Sequence, residues 1–218
     1  MRAKVIEVRG LKIRSGEREV VRDASFSVAR GEIYALLGRR GAGTTALLEA
    51  VAGDRRAASG TVRVRGADPY AARDALPAAA VWRDGGLFPG LTVAEVVDTW
   101  RRWTADPLTR DEALRLTGLA GFADVPFERL DAGERRLLDL ALALIGRSDV
   151  LVLDEPTAGL DEADARRIWR ILRFVAANGV TVLLATHDLD EACRADRVGV
   201  VDDGRLSVGR DPVRASAA

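Results

Sequence analysis

Lysine is almost missing from this chain: Lys4 and Lys12 stand against 31 arginines. Positive charge is therefore carried by guanidinium groups, and a lysine lost by simple exchange should reappear as arginine. Net charge is missing as well. Lys+Arg and Asp+Glu both total 33, which excludes a bulk attraction to nucleic acid or to an anionic membrane surface. No apolar run approaches the roughly 20 residues of a membrane helix, so the chain is not expected to span a bilayer. The opening MRAKVIEVRG holds no apolar segment of the signal-peptide kind. One cysteine, Cys193, excludes an internal disulfide, fits the cytosol and reads as a packing residue. Linkers, repeats and low-complexity tracts are absent apart from a short Ala-rich tail. The 218 residues are therefore expected to form a single domain over 1–218.

What is present alternates between strand and helix. Val5, Ile6 and Val8 lead to a turn at Ser15-Gly16-Glu17, and ASFSVA (24–29) resumes the period of two. EIYALL (32–37) predicts a buried strand, GTTALLEAVAG a helix over about 43–52 stopped by Gly53, TVRVR (61–65) a short strand, and AAAVW (78–82) a buried one. From Thr92 to about Ala141 the pattern is helical, with capping-box spacing at Thr92/Glu95 and Thr109/Glu112. Trp100 and Trp103 read as packing within this stretch, with contact to a partner subunit as the alternative. DVLVLD (149–154), a helix over 161–177 ended by Asn178-Gly179, VTVLLAT (180–186) and the β segment 197–209 follow. Such alternation predicts an α/β fold with a mostly parallel sheet covered on both faces.

Two stretches carry chemistry. In LLGRRGAGTTALLEAVAG (36–53), Gly38, Gly41 and Gly43 fall as G-x-x-G-x-G, the spacing of a loop that wraps a nucleotide phosphate. The candidate binding residues run through Gly38, Arg39, Arg40, Gly41, Ala42, Gly43, Thr44, Thr45 and Ala46. Thr44 stands where such loops keep lysine. In VLVLDEPTAGLD (150–161), a buried strand delivers Asp154 and Glu155 to its carboxyl end, where open α/β sheets place ligands. An aspartate there can hold Mg²⁺ through water, and the adjacent glutamate can orient or deprotonate an attacking water.

Together these motifs resemble the nucleotide-binding subunit of an ATP-binding cassette transporter, over about residues 3 to 210. GGLFPGLTVAEVV and LDLALALIGRSDVLVLDEPTAGLD are most similar to bacterial drug-exporter cassettes of the daunorubicin-resistance type. The resemblance implies a P-loop NTPase with a RecA-like core, N-terminal antiparallel strands and a helical insert at about 88–135. It implies ATP and Mg²⁺ as cofactors, a membrane permease as partner, and a place at the cytoplasmic face of the cell membrane. It also implies a second cassette, a copy of this chain or an intact homologue, stacked head to tail. Two ATP molecules are then sandwiched, each between one cassette's phosphate loop and the other's signature sequence. Residue by residue, Thr45 and Asp154 match the Mg²⁺ positions, and Glu155 and His187 match the catalytic glutamate and the γ-phosphate histidine.

Four positions depart from the family pattern. Thr44 replaces the loop lysine, Arg83 stands at the glutamine before the helical insert, and Ser15 falls where an aromatic residue stacks on adenine. Leu130-Asp131-Ala132-Gly133-Glu134 replaces the signature LSGGQ. Losing the lysine removes a charge-assisted hydrogen bond of roughly 1.5–3 kcal/mol, or about 10- to 100-fold in affinity. Asp131 and Glu134 have capping-box spacing, which predicts a helix start capped by its own carboxylate. At about 4 Å and an effective dielectric near 20, a carboxylate facing a phosphate costs about 4 kcal/mol. The expectation is a regulatory or scaffolding cassette with weak or absent ATP and Mg²⁺ binding and little or no hydrolysis. The rival is a slow, active ATPase in which Arg83 or Arg40 supplies the missing charge. A third possibility is a stand-alone soluble cassette, although family members of that kind usually fuse two cassettes and this chain holds one.

Overall fold

The computed structural model describes residues 3–72 and 77–209, so the Ala-rich tail lies outside the described residues. β1 (Lys4–Ser15) and β2 (Arg18–Ala29) form a long antiparallel hairpin turning at Gly16, longer than the separate short strands expected. Gly10, at φ 52°, accommodates the register shift between Val8 and Leu11, so Ile6, Val8, Leu11 and Ile13 all stay buried. β4 (Ser59–Val64) adds antiparallel to β1.

The remaining strands are β3 (Ile33–Leu37), β5 (Ala78–Val81), β6 (Val150–Asp154), β7 (Thr181–Thr186), β8 (Arg197–Asp202) and β9 (Arg205–Gly209). The nine strands lie in the order β4-β1-β2-β9-β8-β3-β7-β6-β5. β8-β3-β7-β6-β5 pair in parallel, and β2 joins β9 through one parallel pair, Asp23 with Arg205. The segment 197–209 is thus a hairpin rather than one strand. Asp203 and Gly204 both take positive φ (43° and 74°), the demand of a tight two-residue turn.

Period-two alternation sorts the buried strands into two cores. Ile33, Ala35, Leu37, Leu151, Leu153, Val182 and Leu184 face one side. Tyr34, Leu36, Val150, Val152, Leu183 and Ala185 face the other. α1 (Thr44–Ala52) packs on the second side, through Leu47, Leu48 and Val51. α2 (Val93–Arg102), α3 (Arg110–Thr117), α4 (Ala132–Leu144) and α5 (Glu162–Ala177) pack on the first. Both expected capping boxes are present, at Thr92/Glu95 and Thr109/Glu112. Between β5 and β6 the described chain forms helices and one isolated bridge, Thr92 with Pro126. α4 continues through residue 135 to Leu144 and packs beneath β5. α6 (Leu189–Ala192) is a single turn that the sequence pattern is too short to show.

The tryptophan expectation is half corrected. Trp100 packs edge-on against Phe88 at 6.0 Å between centroids, but Trp103 is 76% exposed because it caps the end of α2.

One buried acid makes the fold pH-sensitive. Glu191 of α6 is 5% exposed and accepts a hydrogen bond from the Thr157 hydroxyl at 2.6 Å. Burial pushes its carboxyl above the usual value, with Thr157 and Thr186 working against the shift. A carboxyl raised in the folded state gives stability that is present below its unfolded pKa and lost as pH rises through the folded one. Glu191→Gln, which keeps an acceptor for Thr157, should therefore melt above the wild type at pH 7.5. The difference should close near pH 4. Paired melting curves check this, and an equal or lower Tm at pH 7.5 contradicts it.

Candidate functional site

Strand register assembles the site. Leu37 of β3 lies opposite Thr186 of β7, Asp154 of β6 opposite Ala185, and Val81 of β5 opposite Leu153. Four parallel strands therefore end together, bringing Gly38, His187, Asp154, Glu155 and Arg83 to one edge of the sheet.

The loop after β3 is held by its glycines. Gly38 donates its N–H to the Thr186 carbonyl at 3.0 Å, and Ala42 closes a turn onto the Arg39 carbonyl at 2.9 Å. A Cβ on Gly38 would lie 2.8 Å from the Val201 carbonyl oxygen. One on Gly43, at φ 108°, would lie 2.5 Å from the Val20 carbonyl oxygen. The loop is thus clamped between β2 and β8, and only glycine fits there. Gly43 caps α1 without a side-chain hydrogen bond, and the first turn of α1 holds no acid. The N–H groups of Thr44, Thr45 and Ala46 precede the first helical bond, from Leu47 to Gly43, and remain free to meet an anion. The methyl of Thr44 folds back over Gly38: an added Cβ there would touch Thr44 Cγ2 at 2.9 Å. Arg39 and Arg40 are exposed, without a side-chain partner among the described residues.

The acidic side faces this loop. The Thr45 hydroxyl donates to Asp154 Oδ2 at 3.2 Å. Burial raises the Asp154 carboxyl above the usual value, the Thr45 hydrogen bond opposes this, Glu155 adds to it, and the Arg83 guanidinium opposes it. Glu155 takes φ 51°, an uncommon conformation for a non-glycine residue, and donates its N–H to the Ala185 carbonyl at 2.9 Å. Its Oε1 meets His187 Nδ1 at 2.6 Å. These five residues are a hydroxyl, a carboxylate for a hard cation, a second carboxylate with an imidazole partner, and one nearby guanidinium. A loop of free N–H groups beside a Thr–Asp pair suits a phosphate chain with Mg²⁺. Ser15 ends β1 exposed, at the tip of the hairpin whose Val20 abuts Gly43.

Residues 130–134 lie elsewhere. Leu130 is buried, and α4 begins after Asp131. Asp131 Oδ1 accepts the Glu134 N–H at 2.8 Å, and Glu134 Oε2 accepts the Asp131 N–H at 2.9 Å, a closed capping box. Ala132 is exposed in the first turn, and Gly133 lies so close to α5 that a Cβ would collide with the Asp164 carboxylate. Among the described residues, no hydrogen bond or ion pair joins 130–134 to the loop at 38–46. Two residues outside the expected set do reach the site: Arg136 and Asp139 of α4 hydrogen-bond the backbone of 82–86. Their signal in the sequence is faint, an acid at 139 interrupting the leucine-rich helix.

Comparison with known proteins agrees with this geometry. The family described as ABC transporter matches residues 21–158. The chain is similar to the Nod factor export ATP-binding protein I of Ralstonia nicotianae, 39% identical over 210 residues, covering 92% of this chain and 65% of that protein. It is similar to the hemin import ATP-binding protein HmuV of Streptomyces coelicolor, 38% identical, covering 93% of this chain and 76% of that protein. Among solved structures it is similar to cbiO1 from Clostridium perfringens, described as part of the ABC transporter complex cbiONQ. That match has a TM-score of 0.84 at 26% identity, covering 98% of this chain and 91% of the other.

The capping box is directly testable. Asp131→Ala should cost about 1 kcal/mol of stability, whereas Asp131→Ser should stay within a few tenths of the wild type. Urea melts of the three proteins measure this. An alanine variant as stable as the wild type would show that the box does not form.

Proposed function

We propose that this chain, which belongs to the ABC transporter family as one of its ATP-binding cassettes, binds ATP and Mg²⁺ weakly and hydrolyses ATP little or not at all. In this reading residues 1–218 form one cassette domain, with the helical part between β5 and β6 as its insert. It pairs with a second cassette and docks on a membrane permease at the cytoplasmic face. No helix among the described residues is long and apolar enough to cross a membrane, which suits a subunit that works through a separate permease. Leu87 (79% exposed) and Trp103 (76%), beside Trp100 and Phe88, offer that permease an apolar contact on the insert. Assignment to the drug-exporter type rests on GGLFPGLTVAEVV and the run 138–161, since the similar proteins are named for both export and import.

The observation that carries the proposal is the pair of carboxylates, Asp131 and Glu134, that closes the box at the start of α4. A signature helix meets the partner's nucleotide with its free N–H groups and the positive end of its dipole. Here the Glu134 N–H is already bonded to the Asp131 carboxylate, and a second carboxylate, Glu134, lies in the same first turn. The helix start is therefore negative where the partner's γ-phosphate would sit. The loop's own lysine is replaced by Thr44, whose short side chain packs on Gly38 and offers no charge.

Each retained group still has a role. The N–H groups at the start of α1 would hold the phosphate chain, and Thr45 with Asp154 would hold the cation, which when bound neutralises phosphate charge. Glu155, fixed by His187 at 2.6 Å, would orient a water. A second reading, a slow ATPase, is favoured by one observation: Val81 lies opposite Leu153, so Arg83 leaves β5 at the sheet edge that carries Asp154, where its charge would replace part of what Thr44 lacks.

Isothermal titration with Mg-ATP should give a dissociation constant of roughly 0.1–10 mM, taking low micromolar as an intact-loop baseline and weakening it 10- to 100-fold or more. Hydrolysis should stay at background and be unchanged in Glu155→Gln. Low-micromolar binding, or a Glu155-dependent turnover of order 1 s⁻¹, overturns the proposal.

A further inference from the structure

Two charged side chains of α4 grip the chain where it leaves β5. Arg136 donates through Nη1 to the Trp82 carbonyl and through Nη2 to the Arg83 carbonyl, both at 2.8 Å. One turn on, Asp139 Oδ1 accepts the Gly86 N–H at 3.3 Å, and a Cβ on Gly85 would lie 2.3 Å from Asp139 Oδ2. The two charges lie 3.8 Å apart with only 11% and 13% of their side chains exposed. Beyond the β5 ladder, every hydrogen bond that the described residues make to the backbone of 82–86 comes from these two side chains.

A buried ion pair is weak evidence of a stabilising device, because its desolvation offsets much of its attraction, and an apolar pair often serves stability as well. The neighbours Leu137, Leu138, Leu140 and Ala141 show that this helix readily takes an apolar residue. What leucine cannot do is hold two carbonyls and an N–H of an irregular segment in fixed geometry. The segment so held carries Arg83, which follows β5 at the sheet edge where β6 ends in Asp154. The helix that holds it is capped by Asp131, five residues or about 7.5 Å before Arg136.

We propose that Arg136 and Asp139 are positioning residues: they latch the Arg83 segment to α4, so that Arg83 follows the signature helix. The inference rests on the cassette assignment under Proposed function, in which 130–134 faces the partner's nucleotide, together with the role that its second reading gives Arg83 at this chain's own. A displacement of α4 then moves Arg83 at the sheet edge it shares with Asp154.

The test uses the full chain carrying Thr44→Lys, to bring nucleotide affinity into range. Titration with Mg-ATP and Mg-ADP gives the ATP-over-ADP preference for Arg83→Gln, Arg136→Gln, Asp139→Asn and the double variant Arg83→Gln/Arg136→Gln. Arg83→Gln and Arg136→Gln should each lower the preference about tenfold, as loss of a charge-assisted bond does. The double variant should fall no further, and Arg136→Lys should recover part of the loss. Without nucleotide, amide exchange over 82–86 should quicken at least about tenfold in Arg136→Gln and Asp139→Asn while 150–154 keeps its rates. Unchanged exchange at 82–86, or an unchanged preference in Arg136→Gln where Arg83→Gln loses it, overturns the latch and leaves the proposed function standing. If Arg83→Gln keeps its preference, the positioning role of Arg136 and Asp139 falls with the role given to Arg83. Should Thr44→Lys not tighten binding, the reading of the loop fails, and the exchange measurement still decides the latch. Asp139→Asn supplies that answer if Arg136→Gln does not fold.

Discussion

The site depends on the parallel registration of β5, β6, β7 and β3, because the residues that form it are far apart in the chain and share only their position at a strand end. Leu37 opposite Thr186 and Asp154 opposite Ala185 set the loop beside the acids, and the Gly38 N–H bonded to the Thr186 carbonyl fastens the loop to that edge. With β6 one residue out of step, Asp154 would leave Thr45 and turn into the apolar layer. The two cores on opposite faces enforce the register, since a slip would send Leu151 and Leu153 to the side now filled by Val150 and Val152.

Against this framework, the substitutions act by charge more than by shape. A capping box at a helix start is ordinary helix chemistry, and a neutral Ser-x-x-Gln pair would close one too. Asp131 and Glu134 change its sign. The chain contains no glutamine at all, and the two glutamine positions of the family pattern hold Arg83 and Glu134. One brings a positive charge to the sheet edge that holds this chain's own strand-end acids, the other a negative charge where the proposed function places a partner's phosphate. The phosphate loop loses its charge at Thr44 but keeps the backbone geometry that glycine dictates, so the N–H groups that would meet an anion remain at the start of α1.

Much of this was legible in the residues, and for physical reasons. Glycines at 38, 41 and 43 announce a loop that needs positive φ and close backbone approach. The capping pairs at 92/95, 109/112 and 131/134 announce helix starts, because a short acceptor and a Glu three residues on can satisfy each other. The hairpin at 197–209 was hidden because β-prone residues continue through the Asp203-Gly204 turn. The exposure of Trp103 was hidden because spacing along a helix does not say where the helix ends. The latch at Arg136 and Asp139 was out of reach: a helical pattern shows that two residues share a face, not which irregular segment lies against it. Arg83 could be placed only through the family pattern, since nothing local in AVWRDGG marks a site.

The central claim is that negative charge at the start of α4 bars a partner's nucleotide, and repair of that helix tests it most directly. Light scattering with Mg-ATP would compare Thr44→Lys/Glu155→Gln with the same protein further carrying Asp131→Ser and Ala132→Gly. Glu155→Gln removes the water-orienting carboxylate, so that a closed pair would persist. The account predicts an ATP-dependent dimer only for the protein with the repaired helix, the other remaining monomeric under the same conditions. If the protein that retains Asp131 and Ala132 dimerises with ATP just as readily, the self-capped helix is no barrier and the account is wrong.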